Sequence, residues 1–213
     1  MNHYYDFKYP HLQYYCVDNT TQHICCSIPP QMLAEKYIQK FGTKPMTFFD
    51  CGAAAGMIIQ MAINCGMNAT GIDIQHYPLQ PTIVKMRLNG QMGIYPTPNV
   101  NEFIKSGRIQ IKSITVYKPT NADIVFCNGS LACLHEKQIP TTVSKFKNAK
   151  MVCMIDNTIE DIELAKSMGD DLLADNATRT IKPNKWWMEQ FENIGFNTEF
   201  DKHLHSIIAV NQR

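Results

Sequence analysis

The sequence predicts an α/β fold of three layers: a mostly parallel, seven-stranded sheet between helices, closed by an antiparallel hairpin. Three observations carry this. An apolar run at 46–49 meets the small-residue heptapeptide DCGAAAG (50–56) and then a second apolar run at 57–63, the order of buried strand, tight turn and buried helix. ADIVFCN (122–128) and MVCMI (151–155) are continuous apolar stretches of the kind that a strand covered on both faces requires. Two closing runs, 197–200 and 206–210, are joined by so short a link that they must pair antiparallel, because a parallel crossover needs about a dozen residues or more.

The elements follow in order. Residues 1–28 are rich in aromatics (Tyr4, Tyr5, Phe7, Tyr9, Tyr14, Tyr15) without a clean period, and no element is assigned there. Pro29 and Pro30 then open a helix that runs through Phe41 and stops at Gly42, with Leu33, Tyr37 and Ile38 as its buried stripe. This gives a helical N-terminal extension, 1–44, ahead of the main domain, 45–213. Within that domain a strand at 46–50, a helix at about 55–65 stopped by Gly66, and a strand at 68–74 open a βαβ unit. TIVKMRL (82–88) and RIQIKSITV (108–116) both alternate as strands do, and either can be the third parallel strand, with a short helix at 100–106 between them. Strands at 122–128 and 151–155 flank a helix at 135–147, and helices at 158–168 and 185–194 precede Gly195, Phe196 and the hairpin.

Composition narrows the function. The chain of 213 residues suits one domain with a full core. A net charge of +1, from 20 Lys+Arg against 19 Asp+Glu, supplies no bulk attraction to nucleic acid or anionic membrane, so neither partner is expected. Any exception would be local, with Lys85, Arg87, Lys105, Arg108 and Lys112 the residues to suspect. The eight cysteines form no CxxC pair and read as reduced core thiols of a cytoplasmic protein. No apolar run reaches the length of about 18–20 residues that a membrane span needs, and the N-terminus lacks a signal-peptide layout.

In open α/β sheets the ligand sits at the carboxyl ends of the strands, so chemistry is sought there. The first strand ends in Asp50 and the turn bearing Gly52, Ala54 and Gly56, where small residues let a ligand approach the backbone at a helix start. The second ends in Asp73, which can accept both hydroxyls of a ribose, followed by Ile74. That carboxylate serves a nicotinamide dinucleotide equally well, which keeps an NAD(P)-binding oxidoreductase open as an alternative.

The pairing of Asp50 and its small-residue turn with Asp73 in GID resembles the class I S-adenosylmethionine (SAM) dependent methyltransferases, of Rossmann-like fold. The resemblance implies SAM as cofactor: the turn wraps its methionine portion, Asp50 orders that turn, Asp73 holds the ribose and Ile74 packs on the adenine. Ala54 stands where the family's middle glycine is common. An adenine contact after the third strand falls on Asn89 or Ser113, with Asn89 preferred because Asn-Gly is turn chemistry. Asn128 stands where such enzymes decide acceptor chemistry. It is part of neither the Asn-Pro-Pro-aromatic signature of amino-directed DNA and protein-glutamine enzymes nor the Lys, Asp, Lys and Glu tetrad used on RNA 2′ hydroxyls. The implied acceptor is therefore a small molecule or a protein side chain. His135 and Asp156 are the candidate bases. Asp156 and Asn157 also resemble the Asp-Asn pair of divalent-metal-dependent O-methyltransferases, but Asn128 replaces that group's further acid, and no metal is assigned. A SAM-binding protein of this fold without catalysis is the remaining alternative.

Trp186, Trp187 and Phe191 are expected in the core. His203 and His205, alternating on the hairpin, lack a third zinc ligand.

Overall fold

The structure, a computed structural model, describes residues 12–17, 22–74, 83–88, 91–96, 98–117, 121–170 and 178–211, with the backbone alone for 12–17, 22–26, 83–88 and 91–96. Two sheets are present. The larger has seven strands in the order β10-β11-β9-β8-β3-β4-β7, from β3 (Thr47–Cys51), β4 (Asn68–Asp73), β7 (Ile109–Ile111), β8 (Ile124–Asn128), β9 (Met151–Ile155), β10 (Phe196–Asp201) and β11 (Ser206–Asn211). Strands β9, β8, β3, β4 and β7 are parallel, and β11 pairs antiparallel with both β9 and β10.

Helices cover both faces. On one lie α1 (Pro30–Phe41), α2 (Met57–Asn64) and α3 (Val100–Lys105), whose Leu33, Tyr37, Ile58, Ile59, Ala62, Phe103 and Ile104 pack on Phe48, Phe126 and Cys153 of the strands. On the other, α4 (Ile139–Val143) and α6 (Asn184–Glu192) bring Ile139, Val143, Trp187 and Phe191 against Phe49, Val125 and Val152. Helix α5 (Ile159–Ser167) is capped by Thr158, whose Oγ1 accepts from the Asp161 N–H while Asp161 accepts from Thr158. Cys51, Cys127 and Cys153 are fully buried, and the five cysteines whose side chains are described are free thiols. No helix among the described residues is long and apolar enough to cross a membrane.

Asp123, at the start of β8, ties α1 to the sheet. Its carboxylate accepts from Tyr37 Oη, the Met46 and Thr47 backbone N–H groups, Thr47 Oγ1 and Lys150 Nζ at 2.7–3.2 Å. The C-terminal half of α1 thus sits at the starting edge of the strands, and its N-terminus points to their carboxyl edge.

One open alternative is settled, one strand pair appears where no element was expected, and two expectations are corrected. The third parallel strand is Ile109–Ile111, in register with Gly71, Ile72 and Asp73. The competing run forms β5 (Ile83–Leu88), which joins β1 (Leu12–Val17), β2 (Gln22–Cys26) and β6 (Gln91–Pro96) in a second, antiparallel sheet of order β2-β1-β5-β6. The helical extension is therefore preceded by a strand pair, which aromatic residues without clean alternation concealed. The helix expected at 135–147 is broken into a 3₁₀ turn (Glu136–Gln138), α4 and a second 3₁₀ turn (Ser144–Phe146), because Pro140 lacks an N–H and Thr141, Thr142 and Val143 are β-branched. Ile38 is 39 % exposed, so Leu33 and Tyr37 alone form the deep stripe of α1.

Candidate functional site

The carboxyl ends of β9, β8, β3 and β4 lie side by side, so Asp156, Asn128, Asp50 and Asp73 fall along one edge of the sheet. The turn after β3 folds back onto β4. Gly52 and Ala53 both donate their backbone N–H to Ile72 O at 2.9 Å, and Ala54 donates to Asp73 Oδ2 at 2.8 Å. Three residues of this turn have left-handed backbone: Gly52 (φ 89°), Ala54 (φ 43°) and Gly56 (φ 75°). Ala54 thus adopts, with a side chain, the conformation that glycine takes most readily.

The two turn glycines answer to different neighbours. A Cβ on Gly52 would come within 3.1 Å of Ser130 Cβ, on the loop after β8, so this glycine holds two cradle loops in close approach. A Cβ on Gly56 would meet Phe103 Cδ2 at 2.8 Å and Ile109 Cδ1 at 3.1 Å. Gly56 was expected to open space for a ligand; here it admits α3 against the start of α2. Gly71 plays a part that sequence reasoning missed, since its Cβ would meet Asp50 O at 2.7 Å and Ala53 Cβ at 2.9 Å. A glycine inside the strand pattern ATGID is the signal for such an approach. Ser130 was also missed: its buried Oγ has no hydrogen-bond partner among the described residues.

Asp50 and Asp73 are both buried, at 3 % and 8 % exposure. Burial first, and then the charge of Asp73, push the Asp50 carboxyl up to about 8. Cys127, buried within β8, is raised well above the ordinary thiol value by desolvation, by Cys51, and by the charges of Asp156 and Asp50. Asp156 is 6 % exposed. Asn128 ends β8 opposite Ile155, whose carbonyl accepts the Gly129 N–H at 2.8 Å. Ile74 is 71 % exposed directly after Asp73, a large apolar side chain at the mouth of the site.

Of the two candidates for an adenine contact, Asn89 lies outside the described residues and the strand before it belongs to the second sheet, whereas Ser113 follows the third parallel strand. There the Lys112 N–H donates to Asp73 O, and Ser113 Oγ lies 2.8 Å from Thr115 Oγ1. His203 and His205 sit in the turn between β10 and β11, where His205 has left-handed backbone, and not on one face of the strands. His135 is exposed, and its Nε2 lies 2.9 Å from Arg179 Nη1. A guanidinium only donates, so the contact requires that nitrogen to accept. The neighbouring backbone is clamped by the same segment, with the Arg179 and Thr180 N–H groups on Ala132 O and Thr180 Oγ1 on Leu134 O. Among the described residues no group of three or more His, Cys, Asp or Glu is placed to hold a metal ion.

No protein-family model and no curated protein matches the sequence. Solved structures match the fold. The sugar N-methyltransferase KedS8 from Streptoalloteichus sp ATCC 53650 superposes with a TM-score of 0.61 at 9 % identity, over 87 % of each chain. A SAM dependent methyltransferase from Archaeoglobus fulgidus gives 0.54 at 11 % identity, over 85 % of this chain and 93 % of that one. The pyocyanin biosynthetic protein PhzM gives 0.54 at 15 % identity, and the small RNA methyltransferase HEN1 gives 0.57 at 12 %. This chain has the class I SAM-dependent methyltransferase fold. It spans 55 % of the length of PhzM and 25 % of that of HEN1. In a methyltransferase fold the edge bearing Asp50, Asp73, Asn128 and Asp156 is the carboxyl edge, where α/β sheets take their ligands.

Proposed function

We propose that the chain is a SAM-dependent methyltransferase acting on a small molecule or a protein side chain, with the small molecule favoured. The observation that carries this reading is the buried acid pair Asp50 and Asp73 at a cradle of small residues. A carboxyl held near 8 by burial and a neighbouring acid is relieved by a cation. SAM brings a sulfonium and an ammonium group to such a site. A nicotinamide dinucleotide would bring its anionic diphosphate against Asp50, which argues against the oxidoreductase alternative. The residues fit the cofactor in other respects: the cradle cannot take a Cβ at Gly52, and Ser130 Oγ is a buried hydroxyl available to a polar ligand.

Bound SAM would supply a methyl carbon activated by its sulfonium, open to in-line attack by an acceptor nucleophile with the thioether as leaving group. The chain's residues would align and enclose the reactants. Asp73, pinned by the Ala54 N–H, would hold the ribose hydroxyls, Asp50 would balance the amino end, and the exposed Ile74 would cover the adenine, with Ser113 the candidate for its amine. Asn128 and Asp156 face the acceptor, and Asp156 takes a proton where the nucleophile arrives protonated. His135 is the second candidate base, and to act it must give up the guanidinium of Arg179. Residues 45–213 form the methyltransferase domain and 1–44 its N-terminal cover. Free thiols at the five cysteines whose side chains are described suit a reducing cytoplasm.

Native mass spectrometry of the purified full chain tests the assignment. An adduct of SAM or S-adenosylhomocysteine, formed from added ligand and absent with NADH, is expected. An adduct with NADH and none with either sulfur compound overturns it.

A further inference from the structure

A short backbone segment bridges two loops of the carboxyl edge. Arg179 and Thr180 donate their N–H groups to Ala132 O, and Thr180 Oγ1 donates to Leu134 O, so the segment starts fixed to the loop after β8. Lys182 O then accepts the N–H of Ile159, the first residue of α5, just past the end of β9. Residues 179–182 thus join the loops that follow Asn128 and Asp156. The β8 loop is compact, because the Leu134 N–H turns back to Leu131 O and Cys133 Sγ to Gly129 O. Its Ser130 adjoins Gly52 of the small-residue turn.

Arg179 brings to this rim a charge that no carboxylate balances among the described residues. Its exposed guanidinium meets His135 Nε2 at 2.9 Å through Nη1. Lys182, by contrast, pairs with Glu136 at 2.8 Å and lies over the Trp186 ring, 5.5 Å from its centroid. The acid that follows His135 in the chain is therefore already taken. A guanidinium offers five donors in a planar fork, and a single ring nitrogen leaves most of them open. Such a fork matches a carboxylate through two parallel hydrogen bonds.

Resting on the methyltransferase reading above, we propose that Arg179 binds a carboxylate of the methyl acceptor, which is then a monoanionic small molecule. One guanidinium balances one negative charge, whereas a phosphate dianion leaves an excess. The buried acids Asp73 and Asp156 disfavour an anion deeper in the edge, so the acceptor is turned with its carboxylate at the rim and its nucleophile inward. A carboxylate that takes the guanidinium also frees His135 Nε2, the condition that residue must meet to serve as a base. Arg179 is then a specificity residue.

The test uses benzoate, with benzamide as its neutral counterpart, on the full chain saturated in S-adenosylhomocysteine. Salt at about 0.15 M screens charges beyond about 8 Å. Calorimetric titration should show saturable benzoate binding, at least tenfold tighter than that of benzamide or inorganic phosphate. The nitrogen resonance of His135 Nε2 should change along the same curve. Arg179→Gln should weaken benzoate at least tenfold while S-adenosylhomocysteine affinity stays within twofold. Lys137→Gln, which removes an exposed cation from the neighbouring 3₁₀ turn, should leave both within twofold. Should Arg179→Gln fail to bind S-adenosylhomocysteine, Arg179→Lys decides by the same comparison, with at least a threefold loss expected because the fork is gone. Binding of S-adenosylhomocysteine without benzoate, equal affinity for benzamide, equal benzoate affinity in the Arg179 variants, an equal loss in Lys137→Gln, or tighter binding of phosphate would each overturn the carboxylate site. A wild-type chain that binds no S-adenosylhomocysteine would instead overturn the methyltransferase reading beneath it.

Discussion

Asp73 Oδ2 accepts the backbone N–H of Ala54 at 2.8 Å, and through that bond the end of β4 fixes the left-handed residue at the centre of the turn after β3. In the proposed site the carboxylate would have two tasks, shaping the turn and holding the ligand. Asp73→Ala should weaken S-adenosylhomocysteine binding at least tenfold. Loss of one charge-assisted hydrogen bond should cost about 1–3 kcal/mol of stability. Calorimetric titration and urea unfolding measure the two effects separately.

Asp50 makes cofactor binding and stability depend on pH in opposite directions. Its carboxyl ionises near 3.8 in the unfolded chain and near 8 in the folded one, so the folded state holds the proton between those values and the ligand-free protein loses stability as pH rises from about 4 to about 8. A cationic ligand favours the ionised form, so affinity should rise over the upper part of that range, with up to one proton released per SAM bound at pH 7. Titration in buffers of different ionisation enthalpy counts that proton. Asp50→Asn should flatten the melting temperature between pH 5 and pH 8 (~8 is the folded value) and abolish the release.

The cradle glycines should fail differently. Gly56→Ala places a methyl group 2.8 Å from the Phe103 ring and strains a left-handed residue, so it should destabilise the chain by about 1–3 kcal/mol. Gly52→Val crowds Ser130 at the cradle itself and should abolish ligand binding. Thermal melts and ligand titrations of the two variants separate packing from binding.

Asp123→Ala should destabilise the chain by about 1–3 kcal/mol, because it leaves the Thr47 and Met46 N–H groups and the buried Tyr37 Oη without their acceptor, while the exposed Lys150 ammonium returns to water. Burial raises this carboxyl and the bonds from Lys150, Met46, Thr47 and Tyr37 outweigh it, leaving the net value lowered. Its contribution is therefore present above the ordinary aspartate range and is lost as pH falls through the folded value. Denaturant titrations at neutral and acid pH test both statements.

Much of the scaffold was legible because the parallel strands carry long apolar runs with turn residues at their ends, and Asp50 and Asp73 lie one residue from such boundaries. What escaped was pairing. Alternation marked 82–88 as a strand but says nothing of which sheet receives it, so an adenine contact stayed open between Asn89 and Ser113, with Asn89 preferred, and the strand pair at the N-terminus went unassigned. The roles of Gly56, Gly71 and Ser130 depend on neighbours distant in the chain, Phe103 and the β8 loop among them, which local composition does not reveal. His135 was read from its place near a helix start, and its contact with Arg179 depends equally on the tertiary fold.

In the proposed reading the Asp50–Asp73 cradle selects SAM over a nicotinamide dinucleotide. Thermal unfolding of the full chain with each ligand measures this most directly, since a ligand present at about 100 times its dissociation constant stabilises the native state by about 2.7 kcal/mol. The account predicts a clear upward shift with SAM or S-adenosylhomocysteine, none with NADH, and loss of the shift in Asp73→Ala. Stabilisation by NADH alone, or an equal shift with SAM in wild type and Asp73→Ala, would contradict it.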